Sequence, residues 1–194
     1  MRIDVFDFDG TIYDGDSTVD FLKYVFSKKP LILICILPHL FLTGLKAAAG
    51  RFSLTGFKSG LFSVLARHIS LEEEANRFWE LEKTKNKLGR WFLERERALP
   101  VVIASASPDF ELEAAARILL PDLLVCTRCD PATGRLIGVN CKSSEKIRRI
   151  REEWGEYTVH AMYTDDVRAD APLLALAEEK YLVCHGKVSR IDSN

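Results

Sequence analysis

Residues 5–17, VFDFDGTIYDGDS, place four aspartates directly behind an apolar run that ends a predicted strand. The run itself, RIDVFDF over residues 2–8, has the β-branched and aromatic content of a short buried strand. In an extended backbone the side chains of Asp7 and Asp9 point to one side and that of Phe8 to the other. Burying charge is unfavourable unless a cation or a partner compensates it. The stretch therefore predicts a buried strand with functional carboxylates at its end.

Two different patterns follow this strand. From about Ser17 to Arg97 the apolar spacing is helical almost throughout, whereas strands alternate with helices from Leu99 onward. We predict strands at 99–104, 123–127, 158–164 and finally 181–184, helices at 108–119, 144–154 and 171–179, and a hairpin within 130–141. Alternating strands and helices favour a parallel sheet. The prediction is an α/β fold: a Rossmann-like, doubly wound parallel sheet core (1–15 and 98–194) with an inserted α-helical cap (16–97).

Composition excludes several classes of function. A net charge of −1 without a basic block argues against nucleic acid binding. The five cysteines form no even framework and follow no cleavable signal segment, so we expect reduced thiols in a cytoplasmic protein. Cys126 and Cys129 form a CxxC pair, with Cys141 twelve residues later. Without a second pair this set lacks the four ligands of a structural zinc site.

The segment 31–45, LILICILPHLFLTGL, is the most apolar part of the chain. It is shorter than the roughly 20 residues that a membrane-spanning helix needs, and Pro38 and His39 interrupt it. We expect a buried pair of helices within the cap. The alternative is a surface that makes peripheral contact with the inner face of a membrane, since Lys28, Lys29 and Lys46 flank the segment.

Polar side chains follow several of the predicted strands at their carboxyl ends, where ligands bind in open α/β sheets. They are Asp7 and Asp9, then Ser105, then Lys146 at the start of a helix, and Asp165, Asp166 and Asp170 after the strand 158–164. Two converging carboxylates repel unless a cation lies between them, and oxygen ligands together with a substrate phosphate suit Mg²⁺. Lysine and hydroxyl groups can hold the remaining phosphate oxygens.

This set of groups can hydrolyse a phosphomonoester. One carboxylate attacks phosphorus and forms an aspartyl phosphate. A second carboxyl group protonates the leaving oxygen and then deprotonates the attacking water. Mg²⁺ and the lysine offset the charge that develops.

The order DxDGT, strand-borne Ser, Lys and DDxxxD resembles the haloacid dehalogenase-like phosphatase superfamily, in its phosphoserine phosphatase-like branch with a C1-type cap, over essentially the whole chain. The resemblance implies that Asp7 is the nucleophile and Asp9 the general acid and base. It also implies phosphate binding by Gly10, Thr11, Ser105 and Lys146, and metal binding by Asp7, Asp9, Asp166 and Asp170. Asp165 is an alternative to Asp166, and Lys142 is an alternative to Lys146.

The substrate stays open between two branches of that superfamily. The segments FLKYVFSKKPLILICILPHLF, NCKSSEKI and YTDDVRADAPLL are similar to the phosphatidylglycerophosphatase C family, which implies phosphatidylglycerophosphate or another apolar phosphomonoester. Asp16 falls about where phosphoserine phosphatases carry a glutamate for the substrate ammonium, which implies a soluble metabolite instead.

Three further alternatives concern other classes of function. They are transfer of the phosphoryl group to an acceptor other than water, a binding module tethered to a membrane, and a calcium loop built from Asp7, Asp9, Asp14 and Asp16. The calcium loop lacks the spacing and the final glutamate of an EF-hand. The sequence predicts no oligomeric state.

Overall fold

The computed structural model describes residues 1–191, and its centre is a six-stranded sheet. The strands are β1 (Arg2–Phe6), β2 (Val101–Pro108), β3 (Leu123–Thr127), β4 (Cys129–Asp130), β5 (Arg135–Leu136), β6 (Thr158–Thr164), β7 (Ala177–Cys184) and β8 (Lys187–Arg190). The helices are α1 (Ser17–Lys28), α2 (Ile32–Ala48), α3 (Leu54–Ala66), α4 (Leu71–Glu80), α5 (Glu82–Lys85), α6 (Arg90–Leu93), α7 (Asp109–Leu119), α8 (Ser144–Trp154) and α9 (Ala171–Leu176).

The strand order of the main sheet is β3-β2-β1-β6-β7-β8. The first five strands are parallel, and β8 pairs antiparallel with β7 at one edge. The chain starts at β1 in the middle, builds outward to one side, and returns to build the other side. This arrangement confirms the predicted doubly wound α/β fold, and it brings the carboxyl ends of β1, β2 and β6 to one edge.

Alternating side chains of the central strands fill two apolar layers, one on each face of the sheet. Ile3 and Val5 of β1 pack into one layer, whereas Phe6 and the following Phe8 pack into the other. Because both faces are covered, the consecutive residues 101–104 of β2 are all apolar and buried.

Six helices, α1 to α6, lie between β1 and β2, where the sequence predicts the cap. Their apolar side chains join those of the sheet in a single cluster that includes Phe8, Phe21, Phe62, Phe78 and Phe110. Edge-to-face contacts link Phe110 to Phe21 and to Phe62, with ring centroids 5.9 and 5.4 Å apart. The division at residues 15–16 and 97–98 stays a prediction.

The last helix and strand differ from the prediction. The predicted helix 171–179 ends at Leu176, and residues from Ala177 onward form β7, which pairs with β6. Pairing in the sheet overrides the helical preference of Ala177, Glu178 and Glu179. The strand predicted as final is followed by β8, after a turn in which His185 and Gly186 both have positive φ, the geometry of a tight hairpin.

The apolar segment also differs from the prediction of a buried pair of helices. It forms one continuous helix, α2, which runs through Pro38 and buries only Ile32 and Ile36 fully. The opposite face exposes large apolar side chains, among them Ile34, Leu37 and Phe41. The buried side of α2 packs mainly on α3. Within residues 1–191 no helix is both long and apolar enough to cross a membrane.

Candidate active site

The carboxyl edge of the sheet brings together three of the predicted site residues. Asp7 follows β1, Lys146 lies in the first turn of α8, and Asp170 directly precedes α9. The Lys146 ammonium donates to Asp7 Oδ1 and to Asp170 Oδ1, at 2.7 Å each. Asp170 Oδ2 also accepts a hydrogen bond from the Thr164 hydroxyl at 2.8 Å. The structure therefore brings Lys146, and not the exposed Lys142, to Asp7.

Burial dominates the electrostatics of this cluster. It raises the pKa of Asp7 to about 7, although the neighbouring Lys146 acts in the opposite direction. Burial acts to lower the pKa of Lys146, but the charges of Asp7 and Asp170 outweigh it, so that this pKa lies above its usual value. At neutral pH Lys146 is therefore charged.

Asp9 lies in a separate hydrogen-bonding environment from Asp7. Its Oδ1 accepts from the backbone N–H of Ser17 at the start of α1, at 2.6 Å, and its Oδ2 accepts from the Ser107 hydroxyl at 2.5 Å. Burial raises the pKa of Asp9 above its ordinary value, while the bonds from Ser107 and Ser17 act to lower it. The two carboxyl groups predicted to converge thus have different partners.

A buried polar chain that sequence reasoning missed extends from Asp9 into the molecule. The Ser107 and Thr18 hydroxyls lie 3.2 Å apart, and Thr18 donates to Glu111 Oε2 at 3.0 Å. Glu111 is fully buried, its Oε1 has no hydrogen-bond partner within the described residues, and burial raises its pKa to about 8. Glu111 shares the buried stripe of α7 with Ala115 and Leu119, so a glutamate among apolar positions was the available signal.

The phosphate-binding candidates surround the end of β1. Ser105 is buried near the end of β2, and its hydroxyl oxygen accepts from the backbone N–H of Ser107 at 3.0 Å. Gly10 has φ of 76°, and a Cβ there would lie 2.1 Å from Asp165 Oδ2. Only glycine therefore allows the Asp165 carboxylate to approach this loop. The Thr11 hydroxyl is 3.5 Å from Asp165 Oδ1.

Asp165 and Asp166 have different surroundings. Asp165 is exposed as a residue, but partial burial of its carboxyl group raises its pKa. Asp166 is exposed, and its Oδ1 accepts from the backbone N–H groups of Arg168 and Ala169 at 3.0 Å. Of the two alternatives, Asp165 lies against the loop of Gly10 and Thr11 that follows Asp7, whereas Asp166 holds the loop before α9.

The two remaining acidic candidates lie at the surface. Asp16 is exposed and caps α1 by accepting from the backbone N–H of Val19 at 2.9 Å. Asp14 is exposed on the loop between β1 and α1. Neither makes a hydrogen bond to the side chains of Asp7 or Asp9 in the described part of the chain.

The carboxyl edge of the sheet offers few protein ligands to a Mg²⁺ ion. Within residues 1–191 no three His, Cys, Asp or Glu side chains are grouped as ligands of one metal ion. Mg²⁺ commonly binds proteins through only one or two carboxylates and takes its other ligands from waters and substrate phosphate. Asp7 at the end of β1 and Asp165 against the loop of Gly10 and Thr11 that follows it are the carboxylates that could form such a pair. The set fits Mg²⁺ through these two carboxylates.

Comparison with known proteins identifies the family of the chain. The family model of haloacid dehalogenase-like hydrolases matches residues 5–175. Protein CicA of Caulobacter vibrioides is 33% identical over 94% of this chain and 86% of its own length. A Bordetella pertussis protein described as of unknown function has a similar fold, with a TM-score of 0.72 at 18% identity over 92% of this chain and 88% of that one.

A more distant structure is a probable phosphoserine phosphatase from Vibrio cholerae, with a TM-score of 0.60 at 14% identity over 93% of this chain and 55% of that chain. At such identities the structural matches show a shared fold. The family match confirms the predicted superfamily and the prediction of a hydrolase, consistent with a phosphoric monoester hydrolase. The chain belongs to the haloacid dehalogenase-like hydrolases.

Proposed function

We propose that the protein is a Mg²⁺-dependent phosphomonoester phosphatase that works through an aspartyl phosphate on Asp7. The observation that carries this proposal is the contact of the Asp7 carboxylate with a buried, charged Lys146, 2.7 Å away at the carboxyl edge of the sheet. A nucleophilic carboxylate beside a fixed cation is suited to attack a phosphoryl group, because the cation offsets the negative charge of the phosphate oxygens.

In the first step the ionised Asp7 carboxylate attacks phosphorus and forms an O–P bond, while the bond from phosphorus to the alcohol oxygen breaks. Asp9 donates a proton to the departing oxygen, and its raised pKa favours the protonated form that this role requires. The Ser107 hydroxyl can either donate to the Asp9 carboxylate or accept from its acid form, so it holds the group in both states.

In the second step Asp9 takes a proton from a water molecule, whose oxygen attacks phosphorus. The bond between phosphorus and Asp7 breaks, inorganic phosphate leaves, and both carboxyl groups return to their starting states. The ion pair between Lys146 and Asp170 persists through both steps and fixes the position of Lys146 relative to Asp7. When bound by Asp7 and Asp165, Mg²⁺ would supply positive charge to the transferring phosphoryl group.

The substrate that we propose is an apolar phosphomonoester, such as phosphatidylglycerophosphate. Its support is the resemblance to the phosphatidylglycerophosphatase C family together with the exposed apolar face of α2. The helix pair α2 and α3 contacts β5 through a hydrogen bond from the Leu136 backbone N–H to the Ser59 hydroxyl at 3.1 Å. Since the β4–β5 hairpin follows β3, this contact places α3 near the sheet edge that carries Asp7.

The test is phosphate release from a panel of monoesters with the wild-type protein and the Asp7→Asn variant. The panel contains p-nitrophenyl phosphate, phosphoserine, and phosphatidylglycerophosphate in detergent. Each reaction is run with Mg²⁺, with EDTA, and with EDTA followed by excess Mg²⁺. We expect release that requires Mg²⁺ and Asp7 and is greatest for the lipid monoester.

Four outcomes would change the proposal. Equal activity in EDTA would remove the metal, and activity retained by Asp7→Asn would reassign the nucleophile. A preference for phosphoserine would move the substrate to soluble metabolites. Cleavage of the monoester that begins only when an alcohol acceptor is added, and that yields a new phosphate ester in place of inorganic phosphate, would identify a phosphotransferase.

A further inference from the structure

The exposed face of α2 combines a continuous apolar surface with a basic border. Ile34, Leu37, Phe41 and Leu45 follow one another at helical spacing and are each more than half exposed. The other exposed apolar side chains of the helix region broaden this stripe on both sides, namely Leu31, Leu33, Leu40 and Leu42. Monomeric proteins rarely expose so large an apolar patch unless it contacts a partner. We call this set of eight residues the α2 face.

The α2 face has no partner within the described part of the chain. The opposite side of the helix packs on α3, where Ile32 and Ile36 are buried and His39 Nε2 is hydrogen-bonded to the Phe57 carbonyl at 3.0 Å. The stable position of α2 thus depends on the buried stripe, and the exposed stripe adds nothing to it.

The charged residues that flank α2 in sequence are of one sign. Residues 21–71 contain seven lysines and arginines and neither aspartate nor glutamate. Lys28 precedes α2, Lys46 lies in its last turn, and Arg51 follows it; all three are exposed and free of ion pairs within residues 1–191. At about 1.5 Å per residue the helix places basic groups at the two ends of an apolar stripe roughly 25 Å long.

We propose that the α2 face docks on an anionic lipid surface, with α2 lying parallel to the membrane plane. An apolar face inserts at the level of the headgroups while flanking lysine and arginine side chains attract anionic lipids. A second copy of the chain is a poorer occupant, since it would bring two basic borders together. This docking goes beyond the proposed reaction and does not depend on it.

The experiment compares sedimentation with lipid vesicles for the full-length protein and for two double variants. The vesicles are phosphatidylcholine alone or phosphatidylcholine with about 30% phosphatidylglycerol, a fraction that gives a negative surface potential. The test variant is Leu37→Ser with Phe41→Ser, and the matched control is Leu120→Ser with Leu176→Ser, two exposed leucines distant from α2 in sequence. Hydrolysis of p-nitrophenyl phosphate is measured for each protein.

We expect wild type and control to bind the anionic vesicles, with binding that weakens in high salt. The test variant should bind about tenfold less or worse, because it removes two large apolar side chains from the contact. Absence of binding to anionic vesicles, or equal binding by test and control variants, would overturn the proposal. If light scattering showed that the wild type is a dimer and the test variant a monomer, the α2 face would be assigned to a second copy instead.

The activity measurement separates this proposal from the proposed function. Vesicle binding by a protein that hydrolyses none of the monoesters would leave docking intact and refute the reaction. Hydrolysis by a protein that binds no vesicles would do the reverse.

Discussion

The carboxyl edge of the sheet and the α2 face each reverse the usual distribution of side chains. At the sheet edge, Asp7, Lys146 and Asp170 bring charge into the interior, whereas α2 brings leucine, isoleucine and phenylalanine to the surface. Buried charge and exposed apolar patches are the two departures that call for an explanation.

The two departures differ in where their compensation lies. The buried charges are matched inside the chain, because Lys146 contacts two carboxylates and Thr164 contacts one of them. The α2 face has no compensating group within residues 1–191. We infer that the first region is organised for a small charged substrate, and that the second needs a surface outside the molecule.

The largest effect is expected for the Asp7→Asn variant. An amide cannot attack phosphorus, so turnover should fall by roughly 10⁴-fold or more, as when an enzyme loses its nucleophile. Asp14→Asn, the same change at an exposed position in the next loop, is the control and should leave the rate near that of the wild type. Comparable rates for the two variants would move the nucleophile elsewhere.

Asp9→Asn tests the second carboxyl group of the site. The variant keeps the size of the side chain but has no carboxyl group to give or take a proton, so we expect kcat to fall by about 10²–10⁴-fold. The loss should be smaller for a monoester whose leaving group needs no proton, such as p-nitrophenyl phosphate. A loss that is equal for good and poor leaving groups would contradict the role of general acid.

Lys146→Met tests whether charge matching holds the sheet edge together. Removing the ammonium leaves Asp7 and Asp170 buried without their partner, so the free energy of unfolding should fall by about 3–5 kcal/mol. The loss should shrink as the pH is lowered, because protonation removes the unpaired charges. Urea denaturation at several pH values measures this, with the exposed Lys142→Met as control; equal stability of the two variants would refute the prediction.

Glu111→Gln tests the buried polar chain behind Asp9. The pKa of Glu111 is raised to about 8 in the folded protein, so between its usual value of 4.5 and 8 the folded state holds a proton that the unfolded chain has lost. Stability should therefore fall as pH rises through this window, by at most about 1.4 kcal/mol per pH unit from this residue.

The variant should flatten that part of the stability profile. Glu113→Gln on the exposed side of the same helix should leave the profile unchanged. A profile that Glu111→Gln does not alter would show that Glu111 loses its proton equally in both states.

The smallest effect is expected on the α2 face itself. Leu37 is 59% exposed, so Leu37→Ser should change the free energy of unfolding by less than about 0.5 kcal/mol. The neighbouring Ile36 is 3% exposed against α3, and Ile36→Ser should cost roughly 2–5 kcal/mol. Equal losses of unfolding free energy for the two variants would mean that the α2 face is packed against the rest of the chain, as the groups of the sheet edge are.

Local patterns were enough to predict most of the sheet and its edge. The strands at 123–127 and 158–164 and the helix at 144–154 lie where the sequence predicts them. These elements have a regular hydrophobic periodicity. The parallel sheet then brings the polar residues that follow its strands to one edge. The failures lie where the pattern was compatible with two structures: residues 177–180 have helical propensity but pair with β6, and residues 31–45 are as apolar as a core segment.

The sequence by itself determined the doubly wound sheet and the residues at its carboxyl edge, because alternation of strands and helices leaves few ways to cover a sheet. The sequence also favoured Lys146 over Lys142, and Lys146 is the lysine that contacts Asp7. Only the tertiary structure decided that Asp165 lies against the loop after Asp7 and that Glu111 lies behind Asp9. It also decided that α2 exposes its apolar face. The physical reason is that contacts and burial depend on the packing of distant segments, which no local spacing encodes.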